Sequence, residues 1–193
     1  MQEIIKGPRP HVYVDSNVVV KIRSVLFGTP LCRIDQGEAI AQLIDRHMQD
    51  WTLVAGDTVM KEVRADLNPK SAHLIEMGSE ILDSLPLLRQ SDGEVGGHYP
   101  LQVGDPYKEF RAFLAKLESH FADKPRDVKL LADAFHNAMD CIVSLDRPLK
   151  NGWDRVRTGY PQKVRELVGA CGTVIGEVEV LSPMEFVTRY RAS

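Results

Sequence analysis

The chain has little cysteine, no long apolar run and no large surplus of either charge. Cys32, Cys141 and Cys171 are an odd set without a CxxC spacing. That pattern argues against a disulfide framework and against a structural thiolate metal site. The three are expected to be reduced thiols, with Cys141 in the core. Six histidines are scattered without an HxxxH pair, which argues against imidazole ligation of a metal. No stretch approaches the roughly 18 consecutive apolar residues of a membrane span. The opening "MQEIIKGPRP" has no apolar core of a secretory signal. The expectation is a cytoplasmic protein with no membrane partner. A net charge of −3 gives no general affinity for polyanions, and it is compatible with a local basic patch beside an acidic centre.

What is present is an ordinary globular composition, 44% hydrophobic and 26% charged over 193 residues. It predicts a single domain spanning 1–193. Apolar β-rich runs alternate with helical patterns. "HVYVD" and "WTLVAG" read as strands, and "DQGEAIAQLIDRHMQD" as an amphipathic helix, from Ala39, Ile40, Leu43, Ile44 and Met48. "DTVMKEVRADLN" and "SAHLIEMGSEILDSL" read as two further helices, ending near Asn68-Pro69 and Pro86. Residues 89–105, rich in glycine and polar side chains, read as a long loop inserted in the domain. Helices are expected over "PYKEFRAFLAKLESHF" and "KPRDVKLLADAFHNAM", then a strand over "CIVSL" ending at Asp146. "PQKVRELVGACG" reads as a helix, "EVEVLSP" as a last strand and "MEFVTRY" as a closing helix. Strands separated by helices imply parallel pairing through right-handed crossovers. The fold class is therefore α/β, with a central, mostly parallel sheet.

Ligands of such sheets bind beyond the carboxyl ends of the strands. Asp15 ends the first strand and Asp146 the "CIVSL" run. Glu62 lies in the helix after the second strand, and Asp127 in the first turn of a helix leading to the next one. Four acids converging on one rim suit a hard dication such as Mg²⁺ or Mn²⁺, which takes oxygen ligands and keeps several waters. Without a cation their mutual repulsion would be costly. With one, a water can be activated or a leaving oxygen stabilised.

The order and setting of these acids resemble a PIN domain, a family of metal-dependent ribonucleases. Its opening strand with Asp-x-Asn is similar to "YVDSN", and its second acid to the Glu62 of "VMKEV". Its later pattern is an acid, a helix with small residues and a β run closing in Ser/Thr-x-Asp. "DVKLLADAFHNAMDCIVSLD" resembles it, with Asp127 leading and Ser144-Leu145-Asp146 closing. The ending "VLSPMEFV" resembles the strand–Pro–helix finish of such proteins. Together these motifs span residues 12 to 187. In this chain Ser144 replaces the commoner Thr, and a small residue is more usual near Ala138-Met139. The resemblance implies a three-layer sandwich around the mostly parallel sheet. It implies an endoribonuclease whose Asp15, Glu62, Asp127 and Asp146 bind Mg²⁺ or Mn²⁺ and hydrolyse RNA phosphodiester bonds. It also implies two biological settings: a toxin held by an antitoxin or other protein partner, and RNA processing. The extra length leans away from the compact toxins. Homodimers are common in the family.

Each residue also has a plainer reading. Asp15 suits a helix N-cap, Glu62 an exposed helix position, Asp127 the positive end of a helix dipole and Asp146 the start of the turn "DRPL". Asp133, six residues past Asp127, lies about 240° further round a helix, so it is set aside with Asp140. Asn17 and Ser144 are expected to orient the carboxylates by hydrogen bonding, or to be ordinary turn and strand-end residues. Lys21, Arg23, Arg147, Lys150, Arg155 and Arg157 flank the acids and are candidates for phosphate contact. Trp153 and Tyr160 are candidates for base stacking or for core packing. Two other functions remain open: a non-catalytic nucleic-acid or protein-binding module on this fold, and a DNA-directed nuclease.

Overall fold

The computed structural model describes residues 9–56, 59, 63, 89–90, 105–117, 121, 124–136, 139–170 and 178–190. Five strands form one sheet: β1 (His11–Val14), β2 (Thr52–Ala55), β3 (Arg89–Gln90), β4 (Cys141–Val143) and β5 (Glu179–Leu181). They lie in the order β3-β2-β1-β4-β5, and each neighbouring pair is parallel. Tyr13 is the register point, opposite Val54 on one side and Ile142 on the other. Val12, Tyr13, Val14, Leu53, Val54, Ala55, Ile142 and Val143 are fully buried. Their continuous apolar character is what a parallel sheet covered on both faces requires.

Seven α-helices connect the strands among the described residues: α1 (Ser16–Leu26), α2 (Gly37–Asp45), α3 (Asp105–Lys116), α4 (Pro125–His136), α5 (Arg147–Gly159), α6 (Pro161–Ala170) and α7 (Pro183–Tyr190). They pack in two groups. α2 contacts both α1 and α7, and Trp51 meets Phe186 edge-to-face at 5.0 Å beside them. α3 contacts α4 and α6, and α6 contacts α5. In this second group Phe135 lies 4.8 Å from Phe110 and 5.0 Å from Trp153. Edge-to-face pairs of this kind add about 0.5–1.5 kcal/mol each beyond burial.

The α/β class with a parallel sheet is what the strand and helix pattern predicts. Several boundaries differ. Arg89–Gln90, expected in the loop, is a short strand on β2, and Asp105 already begins α3. The rest of that loop lies outside the described residues. So do the two helices expected over 57–85, apart from Val59 and Val63, which are helical and buried. The apolar pattern does not predict α5, and α1 is foreshadowed only by the capping reading of Asp15. α1 carries a Val-Val-Val run that suggests a strand, yet Val18, Val19 and Ile22 make one buried helical stripe. α5 buries Leu149, Gly152, Trp153 and Val156, at helical spacing within a polar stretch. Cys141 is buried, and Cys32 is exposed; both are free thiols.

Candidate functional site

The sheet order sets where a site can form. The chain proceeds outward from β1 to β2 and β3, then returns to the other side of β1 for β4 and β5. The reversal falls between β1 and β4, and a crevice opens at the carboxyl ends of strands flanking such a switch. Asp15 and Ser144 are the residues that immediately follow these two strands. The Asp15 N–H donates to the Val143 carbonyl at 3.0 Å, which ties the ends together.

Asp15 is buried, with 7% of its surface exposed. It is the N-cap of α1, in extended backbone conformation. Its Oδ1 accepts from the Ser16 N–H at 2.7 Å and from Ser16 Oγ at 3.3 Å. Its Oδ2 accepts from Asn17 Nδ2 at 2.7 Å and from Ser144 Oγ at 2.5 Å. A buried carboxylate is costly unless donors compensate it, and here an amide, two hydroxyls and a backbone N–H do so. The positive end of the α1 dipole acts in the same sense.

Asn17 and Ser144 have fixed orientations. Asn17 Oδ1 accepts from the Leu145 N–H at 3.0 Å, so its amide nitrogen must face Asp15. That nitrogen also lies 3.2 Å from Ser144 Oγ. Ser144 Oγ accepts from the Asp146 N–H at 2.9 Å, which directs its own proton to Asp15. One serine thus joins the ends of β1 and β4. Asp146 is the N-cap of α5, with Oδ1 accepting from the Leu149 N–H at 3.2 Å. Its Oδ2 makes no hydrogen bond among the described residues. The plainer capping reading of Asp15 is realised alongside the network, whereas Asp146, read as the start of a turn, caps a helix instead.

A third helix begins at the same edge. Ser182 and Glu185 form a reciprocal cap on α7: the Ser182 N–H donates to Glu185 Oε2 at 2.8 Å, and the Glu185 N–H to Ser182 Oγ at 3.2 Å. Lys150 on α5 pairs with Glu185. That ammonium, followed by the Ser182 donors, holds the Glu185 carboxyl below the usual range.

The remaining predicted residues are placed as follows. Asp127 is on the first turn of α4, with its Oδ2 3.7 Å from Lys124 Nζ. Glu62 lies outside the described residues. Among the described residues, no group of three or more His, Cys, Asp and Glu is arranged to hold a metal ion. Asp15, Asp127 and Asp146 therefore do not make a three-carboxylate set by themselves. The donor chemistry does fit a smaller set, since Mg²⁺ commonly takes one or two carboxylates and fills its shell with water. Trp153 is fully buried, with Nε1 donating to the Val178 carbonyl at 2.7 Å. It is a core residue, which removes it from base stacking. Tyr160 is half exposed and packs edge-to-face on Phe113 at 5.8 Å. Arg157 is engaged with Asp154 and Glu179. Asp133, set aside by its helical angle, is buried at 6% exposed and lies 3.5 Å from Lys129. Its place in "LLADAF", among the apolar residues of α4, is the signal that could have marked it. No described helix is long and apolar enough to cross a membrane. Comparison with models of known protein families finds none that matches the chain, and no curated protein matches it either.

Proposed function

We propose that the chain is a divalent-cation-dependent endoribonuclease with a PIN-like three-layer architecture, its two helix groups covering the two faces of the sheet. The observation that carries this reading is the junction at the switch point. Asp15 directly follows β1, and Asp146 lies three residues past β4 as the N-cap of α5; Ser144 donates to the Asp15 carboxylate and accepts from the Asp146 N–H, and Asn17 holds Asp15.

The residues divide the work. Asn17 and Ser144 lock the Asp15 carboxylate in one rotamer, as orienting groups do around ligating acids. Asp146 Oδ1 is committed to capping α5, and Oδ2 would be the oxygen offered to a ligand. Three helix N-termini at this edge favour the approach of an anionic phosphodiester. Asp15 and Asp146 would hold Mg²⁺ or Mn²⁺ with waters, the smaller carboxylate set that such a cation accepts. When bound, the cation supplies charge stabilisation for phosphodiester hydrolysis. Single-stranded or looped RNA is the substrate class, because a splayed strand offers its backbone and unstacked bases to a protein site as a duplex does not. A cytoplasmic setting, in RNA processing or as a toxin under an antitoxin partner, and a homodimeric state are part of the same reading.

A second reading has its own observation. Four protein donors already meet the Asp15 carboxylate, which suits a non-catalytic nucleic-acid or protein-binding module. Incubation of labelled single-stranded RNA and DNA with the protein, in Mn²⁺ or chelator, separates these readings. The nuclease reading expects RNA cleavage that needs the metal and is lost in Asp15→Asn and Asp146→Asn. It expects Ser144→Ala to retain about a tenth to a hundredth of the rate. Binding without cleavage favours the module, and cleavage of DNA in preference to RNA favours a DNA-directed enzyme.

A further inference from the structure

A cation stands over the same edge, held by a contact that is easily exchanged. Lys150 lies in the first turn of α5, and its backbone N–H donates to the Asp146 carbonyl at 3.1 Å. Its ammonium rests on Glu185 Oε1. Glu185 does not depend on Lys150 for its position. Its other oxygen accepts from the Ser182 N–H, and its own N–H is held by Ser182 Oγ. Ser182 follows Leu181, whose carbonyl accepts from the Ser144 N–H at 2.9 Å. One frame therefore runs from Asp15 through Ser144 and the end of β5 to Glu185 and Lys150. The ion pair is partly exposed, with side chains 28% and 46% accessible. Pairs of this kind contribute little net stability, so a competing anion can take the ammonium while Glu185 stays in its cap.

We propose that Lys150 is a phosphate-holding residue of this site: it is seated on Glu185 in the free protein and transfers to a backbone phosphate of single-stranded RNA on binding. The inference rests on the reading of the edge as a phosphodiester site. A lysine contacts phosphate as a point charge and carries no sequence information, so Lys150 acts on affinity and on strand position. Glu185 competes with the substrate for the same ammonium.

The test is fluorescence anisotropy of a labelled oligouridine with the full chain, across about 50 to 200 mM salt. Ca²⁺ replaces Mg²⁺, and RNA integrity is checked on a gel. Lys150→Ala is expected to weaken binding about fivefold and to make the slope of log affinity against log salt shallower by about 0.7. Lys150→Arg is expected to restore both. Glu185→Gln, which keeps a side chain able to complete the cap, is expected to tighten binding about twofold to fivefold. The opposite signs are what a purely structural ion pair would not give. Wild-type affinity and slope in Lys150→Ala would overturn the proposal, as would Glu185→Gln weakening binding as much as Lys150→Ala. Metal-dependent cleavage by the same wild-type sample separates the two levels. If it cleaves while Lys150→Ala binds normally, only the role of Lys150 fails. If it neither binds nor cleaves RNA, the phosphodiester site and Lys150 fail together.

Discussion

Asp15 is a buried charge whose compensation comes from its neighbours in the chain and from the next strand in the sheet. Ser16 and Asn17 were visible beside it in the sequence, and Ser144 was 129 residues away. The "D-S-N" cluster and the closing "S-L-D" were legible as a pair of motifs because each ends an apolar run. Ser144 reads from the sequence as a group that orients a carboxylate, but that the carboxylate is Asp15, with the Asp146 N–H as the donor to Ser144, depends on the strand register. Two other groups give predictions at this scale. Glu185 has a carboxyl lowered first by Lys150 and then by Ser182. A depressed folded value contributes stability above the ordinary carboxylate range, and this is lost as pH falls through the folded value. The stability gap between wild type and Glu185→Gln should therefore be open at neutral pH and close on acidification, as read by thermal unfolding across pH. Burial, reinforced by Asp140, pushes the Cys141 thiol far above its ordinary range. At about pH 8 the exposed Cys32 should react with a thiol reagent in the folded protein, and Cys141 only after unfolding. Peptide mass mapping checks both; fast labelling of Cys141 in the native state would contradict its burial.

Among the elements, the helices opened by caps are the ones that place the site. One residue separates α1 from β1 and α7 from β5, and three separate α5 from β4; each start is fixed by a side chain: Asp15, Asp146, and Ser182 with Glu185. Their N-terminal dipoles gather at one edge and stabilise negative charge there. α2 is placed differently. It follows Gln36, which has φ of 54° and whose side-chain oxygen accepts from the Met184 N–H at 2.8 Å. Gly37 then packs so closely that a Cβ would lie 2.4 Å from the Leu31 carbonyl oxygen. Gly37→Ala should destabilise the fold by about 1–3 kcal/mol, because a backbone carbonyl cannot yield as a side chain can. Urea denaturation measures this, and an unchanged midpoint would contradict the close approach. The amphipathic α2 was readable from its apolar spacing. α1 is obscured in the sequence because three successive valines favour strand locally, whereas the Asp15 cap and burial against α2 favour the helix. α5 was obscured by its polarity, although its Asp-x-Pro start and the spacing of Leu149, Trp153 and Val156 were both present.

For the whole molecule, alternation of strands and helices was enough to predict a parallel sheet, because right-handed crossovers leave few alternatives. The strand order was beyond local pattern, since pairing β1 with β4 joins residues far apart in the chain. That order brings the residue after β1, Asp15, against the segment after β4, where Ser144 links it to the Asp146 backbone. It also gives the core two aromatic clusters, one around Trp51 and Phe186 and one around Phe110, Phe135 and Trp153. The large apolar and aromatic residues are thereby used to hold the helices on the sheet, while the polar residues with fixed orientation collect at the β1–β4 edge. The central claim is that this edge takes a divalent cation. Anomalous diffraction from crystals soaked in Mn²⁺ tests it most directly. The account predicts a peak within about 2.0–2.2 Å of carboxylate oxygens of Asp15 or Asp146; a saturating soak with no peak at this edge would contradict it.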